Sequence, residues 1–399
     1  MVTVCMISSL HGLYDDRIYW KEAVSLKEHG YEVVHVGAGD KDLDMISEHG
    51  IRLIQIRKKR YFLNPYLDIL YRKITLKSGI YKKMFRICSA IRADVYHYHD
   101  IQVNRIMKKL KRLPNAPRLI YDVHEDFADL LLSKYPNPGP VRMLIRFYCI
   151  WLNHWELSRA LSCDYIITAV DHILQKFSIP VNHPDAEIIY NYTTLLPGGM
   201  ILPSKKKYDA IYCGQINPFR CAMQIAEAVR LTRQILPGIR VLLLGPVPDP
   251  VFRLSLQKFI DQNGLGDHVI LHEQVPYGEI EAYYQDSRIG LGIFMPVSIF
   301  YYGVQIKTFE YMAFGLPVIC SNFGTIERII RETGTGIPVD PRAPDEISKA
   351  LIRLLTDHNL YDTCSANGIH AVKTKYNWKS EERKLLRIYQ NLTGLNTIS

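Results

Sequence analysis

The sequence predicts an α/β protein made of two doubly wound, Rossmann-like domains that face each other across a cleft. Three observations support this class. Short apolar runs, typical of buried parallel strands, alternate with helical segments along the chain. The alternation stops at 195–207, a segment with two prolines, two adjacent glycines and three lysines, and then begins again. The length of 399 residues is enough for two domains with separate cores.

The first domain, expected over 1–194, opens with a strand, a loop and a helix. This helix begins near Asp16 and ends at Gly30, where a C′ glycine belongs. A second helix is expected over 80–92, and a long aromatic helix follows the turn-rich segment 136–140. Strands, some with the loop that follows them, are predicted at 2–7, 31–39, 51–56, 93–100, 117–126, 164–170 and 187–192.

The second domain, expected over 208–375, repeats the same alternation. A helix is predicted from about Ala222, and the chain closes with a helix after Asn377. The final segment, 376–399, is expected to pack back on the first domain. Strands are predicted at 209–214, 239–245, 268–273, 289–294, 316–321 and 335–340.

Several classes of function are excluded by missing signals. No run of about 20 apolar residues predicts a membrane span, and the amino terminus has no basic region typical of a secretory signal. The eight cysteines include no C-x-x-C pair, so neither a zinc site nor a disulfide framework is expected. The phosphate loop and the dinucleotide fingerprint are also absent. We therefore expect a reduced, cytoplasmic protein with no metal and no cofactor.

The positive charge is concentrated in the first domain. Between Arg52 and Arg118 lie 18 Lys and Arg but only three acids, a local balance of +15 against +9 for the whole chain. In the helix expected over 80–92, Lys82 and Arg86 lie opposite the apolar stripe, and Lys83 lies on its flank. This pattern favours reversible docking on an anionic membrane surface. A solvated face that keeps the protein soluble is the alternative.

The segment KTFEYMAFGLPVICSNFG, 307–324, carries the strongest chemical signal. Lys307 and Glu310 open a helix, and we expect Glu310 in its first turn. A helix amino terminus binds diphosphates, and a carboxylate beside them can bind the ribose hydroxyls of a nucleotide. Judged only by the preference for acids in the first turn of a helix, Glu310 could equally serve only to stabilise the amino terminus of its helix.

The segment resembles the donor-binding segment of GT-B glycosyltransferases, in particular the retaining enzymes of family 4. The similarity extends over nearly the whole chain, through SSLHGLYDDRIYWKEAVSLKEHGYEV, YDVHED, IYCGQINPFR and the final helix with Trp378. It implies a GT-B fold and transfer of a sugar, of hexosyl type, from a nucleotide-sugar donor to an acceptor hydroxyl, with retention and without a metal. In such a site, Glu310 would bind the ribose and Lys307 the diphosphate.

Further site residues follow from the same resemblance. Gly214 and Arg220 match the glycine-loop-arginine segment, and Arg220 would join Lys307 as a cationic clamp on the diphosphate. His124 stands at the carboxyl end of a predicted strand, where the family keeps a histidine that touches the donor sugar. Gly12 would let the backbone approach the diphosphate. Arg17 is assigned to the acceptor or the membrane, together with Lys82, Lys83 and Arg86.

The sequence departs from the family pattern at two positions near these residues. Tyr302 stands eight residues before Glu310, where the family often has the first glutamate of an E-x7-E pair. Cys221 follows Arg220 in place of a common glycine. Other groups in this chain must therefore take the role that the first glutamate has towards the sugar.

Two other classes of function compete with sugar transfer. A nucleotide-sugar epimerase of the same fold would need additional acid and base groups. A non-enzymatic protein could bind nucleic acid or a nucleotide-sugar through the basic face, where aromatic residues such as Tyr61 and Tyr81 are interleaved. We expect a transferase with a lipid-linked or saccharide acceptor and no nucleic-acid partner, located at the inner face of the cell membrane.

Overall fold

The chain divides into two compact units in the computed structural model, which describes residues 1–58, 79–133, 138–195 and 206–395. Unit 1 comprises Met1–Tyr190 and Glu381–Ser399, and unit 2 comprises Asn191–Ser380. Each unit is built around its own sheet of largely parallel strands. The predicted linker at 195–207 lies mostly outside the described residues.

The sheet of unit 1 has eight strands in the order β3-β4-β2-β1-β5-β6-β7-β8. All pairs are parallel except β3 with β4, which is antiparallel. The sequence did not indicate β3 because this edge strand is short and mostly exposed. The strands are β1 (Thr3–Ile7), β2 (Glu32–Gly39), β3 (Leu43–Ile46), β4 (Arg52–Arg57), β5 (Val95–Tyr98), β6 (Arg118–Val123), β7 (Tyr165–Thr168) and β8 (Ala186–Ile188).

The helices of unit 1 connect these strands. The predicted first helix does begin at Asp16, but its first part, Asp16–Ala23, is π-helical, and Asp15 caps it by accepting from the backbone N–H of Arg17 and Ile18. The others are α1 (Val24–Glu28), α2 (Ile80–Ile91), α3 (Asn104–Leu110), α4 (Phe127–Ser133), α5 (Pro140–Ala160) and α6 (Asp171–Lys176).

The sheet of unit 2 has six parallel strands in the order β11-β10-β9-β12-β13-β14. Its strands are β9 (Tyr208–Cys213), β10 (Val241–Leu244), β11 (Val269–His272), β12 (Ser287–Gly292), β13 (Val318–Ser321) and β14 (Gly336–Val339). Its helices are α7 (Ala222–Thr232), α8 (Pro250–Gln262), α9 (Ile280–Gln285), α10 (Ser298–Tyr302), α11 (Ile306–Ala313), α12 (Gly324–Thr333), α13 (Pro344–Thr356) and α14 (His358–Thr374). The six strands predicted for this domain are all present.

The last helix, α15 (Trp378–Thr393), carries the chain from unit 2 back into unit 1. Within unit 1, the Glu381 carboxylate accepts a hydrogen bond of 2.9 Å from the backbone N–H of Tyr190. Tyr389 is fully buried, and its hydroxyl lies 3.0 Å from Nδ1 of His97 in β5. Helix α15 therefore completes the core of unit 1.

Each sheet contains a switch point, a pair of neighbouring strands from which the connections run in opposite directions. In unit 1 these are β1 and β5, and in unit 2 they are β9 and β12. Loops at the carboxyl ends of such strands diverge and leave a crevice, where folds of this class bind ligands. Of the sequence-predicted site residues, Gly214 directly follows β9 at the switch point of unit 2, and Gly12 lies in the loop after β1 at that of unit 1.

The structure agrees with two of the expected absences in the part of the chain that it describes. No described helix is both long and apolar enough to span a bilayer. The eight cysteines are all free thiols, and seven of them are buried. No disulfide therefore contributes to either core.

Candidate active site

The candidate donor site lies at the switch point of unit 2. Strand β9 ends at Cys213, and the chain turns at Gly214 with φ of +124°. A Cβ atom on Gly214 would lie 2.6 Å from Nζ of Lys307, so a larger residue would push this amine away. Glycine therefore lets the side chain of Lys307 lie against the loop after β9.

Lys307 is the second residue of α11, and its ammonium group lies on an aromatic platform. Nζ is 4.1 Å from the ring centroid of Tyr212 and 3.1 Å from the hydroxyl of the same residue. The ring of Phe294, just after β12, is 5.7 Å away. Aromatic faces attract a cation without neutralising it, so the positive charge remains available to an anion.

Arg220 brings a second cation to the same tyrosine. Its Nη1 donates to the hydroxyl of Tyr212 at 3.3 Å, and its guanidinium lies 5.5 Å from the ring centroid of Phe300. The Nε atom is buried and has no hydrogen-bond partner within the described ranges. Neither Arg220 nor Lys307 forms an ion pair with a carboxylate among those residues. Two cations that converge without an acidic partner are an arrangement suited to a diphosphate.

Glu310 lies one turn further along α11 and is only 4% exposed. Its two oxygens accept hydrogen bonds from the hydroxyls of Tyr277 (2.8 Å) and Tyr284 (2.6 Å). Burial, followed by the charge of Glu310, raises the pKa of Tyr284 well above its usual range, so this phenol stays a donor. Tyr277 is 48% exposed, so the oxygen it contacts faces a side chain that can move.

The predicted position of Glu310 within its helix needs a correction. Helix α11 begins at Ile306, and no acid occupies its first turn. Glu310 therefore does not stabilise the amino terminus of the helix, and two tyrosine hydroxyls hold its carboxylate instead. This removes the alternative explanation of Glu310 as a helix-stabilising residue.

Cys221, the departure from the family glycine, adopts the left-handed backbone conformation with φ of +55°. This region costs a residue with a Cβ atom roughly 1–2 kcal/mol, which explains why glycine is common at this position. The thiol is fully buried at the start of α7. The backbone turn next to Arg220 is thus retained although the glycine is not.

The second predicted group, His124, lies just after β6 in unit 1 and faces two polar neighbours. Its Nε2 is 3.2 Å from Nδ1 of His99 and 3.4 Å from Oδ2 of Asp122. The side chain is 11% exposed and lines a pocket of about 40 Å³. Other lining residues include Leu10, His11, Asp100, Phe127 and Glu156.

His11, which the sequence analysis did not single out, supplies a cation to this pocket. Its Nδ1 lies 2.9 Å from Oδ1 of Asp100, and its ring centroid is 5.0 Å from that of His124. Burial opposes the charge, but the hydrogen bond and charge of Asp100 raise the pKa of His11 to about 9. Asp100 also accepts from the backbone N–H groups of Ser9 and Leu10, which fixes the loop after β1.

Arg17 does not lie on a surface that an acceptor or membrane could reach, so that prediction is corrected. It is 3% exposed, and its Nη1 donates to the carbonyl of Ile189 at 2.6 Å. Its Nη2 lies 2.8 Å from Asp122 and its Nε 2.9 Å from Glu22. Although burial acts to raise the pKa of Asp122, the charge of Arg17 holds it well below its usual range. Arg17 is a core cation that fixes Asp122 next to His124.

The remaining predicted residues lie at the surface or in a loop. Gly12 is in the loop after β1 and has open space where a Cβ atom would be. Lys82, Lys83 and Arg86 are exposed on α2, whose buried residues are Met84 and Cys88. Lys83 forms an ion pair of 2.7 Å with Asp42. Its charge is therefore partly compensated.

Sequence reasoning missed the aromatic and buried partners of the predicted residues. Motif analysis identifies Lys307 and Glu310 because both belong to one local segment. Tyr212, Tyr277 and Tyr284 reach them from three other elements, and an isolated tyrosine carries no periodic or spacing signal. Asp122 in RLIYDV differs from these tyrosines, because a polar position within an otherwise apolar strand is a signal that the sequence itself carries.

Comparison with known proteins identifies the class. By its fold the chain is a GT-B protein, with two Rossmann-like α/β units. Residues 201–371 match the family described as "Glycosyl transferases group 1".

Curated relatives cover limited parts of the chain. Sucrose-phosphate synthase 4 of Arabidopsis thaliana is 26% identical over 155 residues, which are 37% of this chain and 14% of that protein. GDP-mannose-dependent alpha-(1-6)-phosphatidylinositol monomannoside mannosyltransferase of Mycobacterium tuberculosis is 26% identical over 167 residues, 40% of this chain and 42% of that protein. The chain therefore spans less than half the length of these relatives.

Solved structures match nearly the whole chain. Sucrose-phosphate synthase from Thermosynechococcus elongatus has a TM-score of 0.69 at 17% identity and covers 99% of this chain and 100% of that one. HepE of Anabaena in complex with UDP-glucose has a TM-score of 0.64 at 12% identity, with the same coverage. At these identities the likeness establishes the fold alone.

Proposed function

We propose that the protein transfers a sugar from a nucleotide-sugar donor to an acceptor hydroxyl. The observation that carries this proposal is the convergence of Lys307 and Arg220 on the hydroxyl of Tyr212, with no carboxylate partner for either cation among the described residues. The carboxylate of Glu310 lies on the same helix as Lys307, suitably placed for ribose hydroxyls. That HepE, a protein of similar fold, was solved with UDP-glucose supports a donor of this kind.

The chemistry of the proposed reaction explains the need for two cations. Breaking the anomeric C–O bond leaves negative charge on the departing diphosphate, and fixed cations stabilise that charge as it develops. Lys307 and Arg220 would do this without a metal on the diphosphate. We further propose retention of anomeric configuration, through attack from the same face as the departing group. His124 would contribute to transfer rather than to nucleotide binding.

The direct test is a panel of nucleoside diphosphates and their sugars in thermal unfolding. A ligand at about 100 times its Kd stabilises a protein by about 2.7 kcal/mol, which corresponds to roughly 5–10 °C for a unit of this size. We expect one base to give such a shift, and incubation of that donor with acceptor to release its nucleoside diphosphate. An epimer formed from donor alone would favour the epimerase, and RNA binding without turnover would favour the binding protein. No shift with any nucleotide contradicts the proposal.

We also propose a lipid-linked or polysaccharide-precursor acceptor and reversible docking on the inner membrane leaflet. Helix α5 supports this: Leu144 is 70%, Phe147 59% and Trp151 51% exposed, and at 100° per residue these three side chains share one face. Arg142 and Arg146, both exposed, lie on the opposite face. A helix that exposes large apolar groups on one face and arginines on the other is typical of elements that lie in the interface of an anionic bilayer. The exposed Lys82 and Arg86 of α2 belong to the same unit.

Liposome flotation tests the membrane proposal separately from the donor site. We expect binding to anionic vesicles that weakens with salt, because each Lys or Arg near such a surface contributes about 1 kcal/mol. Reversing Lys82, Lys83 and Arg86 to Glu, or replacing Phe147 and Trp151 by Ser, should each lower binding about tenfold or more. Leu254→Ser is the matched control, because Leu254 is 72% exposed on α8 of unit 2. If the protein does not bind anionic vesicles at low salt, the membrane proposal fails and a soluble acceptor is favoured. This outcome does not depend on the nucleotide affinity of the protein.

A further inference from the structure

A cluster of four buried metal-ligand side chains lies behind His124 in unit 1. Glu22 comes from the π-helical segment, His97 from β5, His99 from the loop after β5, and Asp122 from β6. All four side chains are fully buried. One oxygen or nitrogen atom from each lies within 4.8 Å of the other three. A cluster of these four residues was not predicted, because its members come from separate parts of the chain.

The four histidine–carboxylate distances within the cluster are longer than hydrogen bonds. Nε2 of His97 is 3.9 Å from Oε2 of Glu22 and 3.8 Å from Oδ2 of Asp122. Nδ1 of His99 is 3.8 Å from each of the same two oxygens. Hydrogen bonds of this kind are about 2.7–3.2 Å long, so the imidazoles and carboxylates face one another without bonding. Within the part of the chain that is described, Nε2 of His97 and Oε2 of Glu22 have no hydrogen-bond partner.

We propose that these four residues bind a divalent transition-metal ion, with Zn²⁺ the best match. Imidazole nitrogens and carboxylate oxygens are both zinc ligands, and ligands at about 2.0–2.2 Å in a tetrahedron lie roughly 3.3–3.6 Å apart. The four histidine–carboxylate separations of 3.8 and 3.9 Å need to contract by only a few tenths of an ångström to reach this geometry, and the other two pairs lie within 4.8 Å.

The surroundings resemble the outer shell of a metal site. The hydroxyl of Tyr389 lies 3.0 Å from Nδ1 of His97, so an Nδ1–H can donate to it and leave the Nε2 lone pair facing the other three ligands. Arg17 contacts the outer oxygen of Glu22 at 2.9 Å and Oδ2 of Asp122 at 2.8 Å. This single guanidinium faces two buried carboxylates, so it orients both but balances only one of them.

The pocket beside His124 offers a route to the cluster. His99 and His124 both line this pocket. Nε2 of His124 lies 3.2 Å from Nδ1 of His99 and 3.4 Å from Oδ2 of Asp122, the two atoms proposed to bind the metal. An ion held by the cluster would lie behind His124, in unit 1, whereas the cations proposed to bind the diphosphate belong to unit 2. The ion is therefore not assigned to the diphosphate, although it departs from the expectation of a chain without a metal.

Metal content of the purified full-length protein tests the proposal. We expect about one equivalent of bound Zn²⁺, or of Co²⁺ with the visible absorption of a tetrahedral N/O site after exchange. His97→Gln and Glu22→Gln should each reduce the bound metal about tenfold or more. His35→Gln is the matched control, because His35 is equally buried in β2 of unit 1 but contacts Ser8 and Leu13 instead.

Two results would overturn the proposal. One is folded wild-type protein that holds less than about a tenth of an equivalent of Zn²⁺ or Co²⁺ after incubation and desalting; this measurement does not depend on whether a variant folds. The other is full metal content in folded His97→Gln, which would place the ion elsewhere. Far-ultraviolet circular dichroism identifies the folded variants, and Glu22→Gln, which keeps the shape of the side chain, provides the second measurement if His97→Gln does not fold.

Discussion

Glu310→Gln is expected to weaken binding of the nucleoside diphosphate by about 10- to 150-fold. Loss of a charged hydrogen-bond partner typically costs about 1.5–3 kcal/mol, which is this range in affinity. Glutamine retains the volume of the side chain, so the packing around Tyr284 remains. Its amide nitrogen, however, cannot accept from a hydroxyl, and the negative charge that favours ribose hydroxyls is gone. Isothermal titration with the nucleotide selected by the thermal panel measures the change.

Glu281→Gln provides the matched control for this experiment. Glu281 is an exposed acid on α9, the same helix that carries Tyr284, and within the described ranges it forms no hydrogen bond or ion pair with the candidate site. We expect its nucleotide affinity to equal that of the wild type. Lys307→Met should behave like Glu310→Gln, because methionine retains the aliphatic packing but not the charge. Unchanged affinity in both Glu310→Gln and Lys307→Met would refute the donor-site assignment.

His124→Ala is expected to lower the rate of sugar transfer about a hundredfold or more while leaving nucleotide affinity unchanged. A side chain that moves a proton or contacts the reacting sugar typically accounts for 10²–10⁴-fold in rate, and about a hundredfold is the lower end of that range. The charged residues that we assign to the nucleotide, Arg220, Lys307 and Glu310, belong to unit 2, whereas His124 belongs to unit 1. Transfer under saturating donor and acceptor, with nucleotide affinity measured in parallel, separates the two roles.

His154→Gln is the control for the histidine experiment. His154 is exposed on α5 of the same unit, so its replacement removes a histidine without touching the pocket. The melting temperature of His124→Ala shows whether the neighbouring core is intact, since His99 and Asp122 lose a contact. Near-normal transfer by a folded His124→Ala protein would mean that His124 has only a structural role.

The sequence predicted the parts of the site that depend on local spacing. Lys307 and Glu310 lie three residues apart in one motif, and His124 directly follows an apolar strand, so each could be placed before the structure was known. The partners that hold them come from distant segments and are mostly tyrosines, which are as common in cores as in sites. The same reasoning explains the metal-ligand cluster: residues 22, 97, 99 and 122 become neighbours only through the strand order.

The order of the strands within each sheet also could not be predicted from the sequence. Alternation of strands and helices predicted parallel sheets, and every predicted strand region overlaps a strand. It did not predict that β1 and β5 are neighbours, which brings the loop of His11 next to Asp100. The burial of Arg17 was missed for a related reason. An arginine in a helix next to a loop is normally interpreted as a surface residue. The burial of Arg17 follows only from its carboxylate partners, Glu22 and Asp122, which are 5 and 105 residues away in the sequence.

The return of α15 to unit 1 has a consequence for the newly made protein. Tyr389, which closes over His97, is separated from the rest of the unit 1 core by all of unit 2. At about 5–20 residues per second, a ribosome needs roughly 10–40 s to add those intervening residues. During this interval the nascent unit 1 has its sheet but lacks the helix that covers β5, and an apolar surface of this kind attracts chaperones. Maturation of the first half of the chain must therefore wait for synthesis of its last helix.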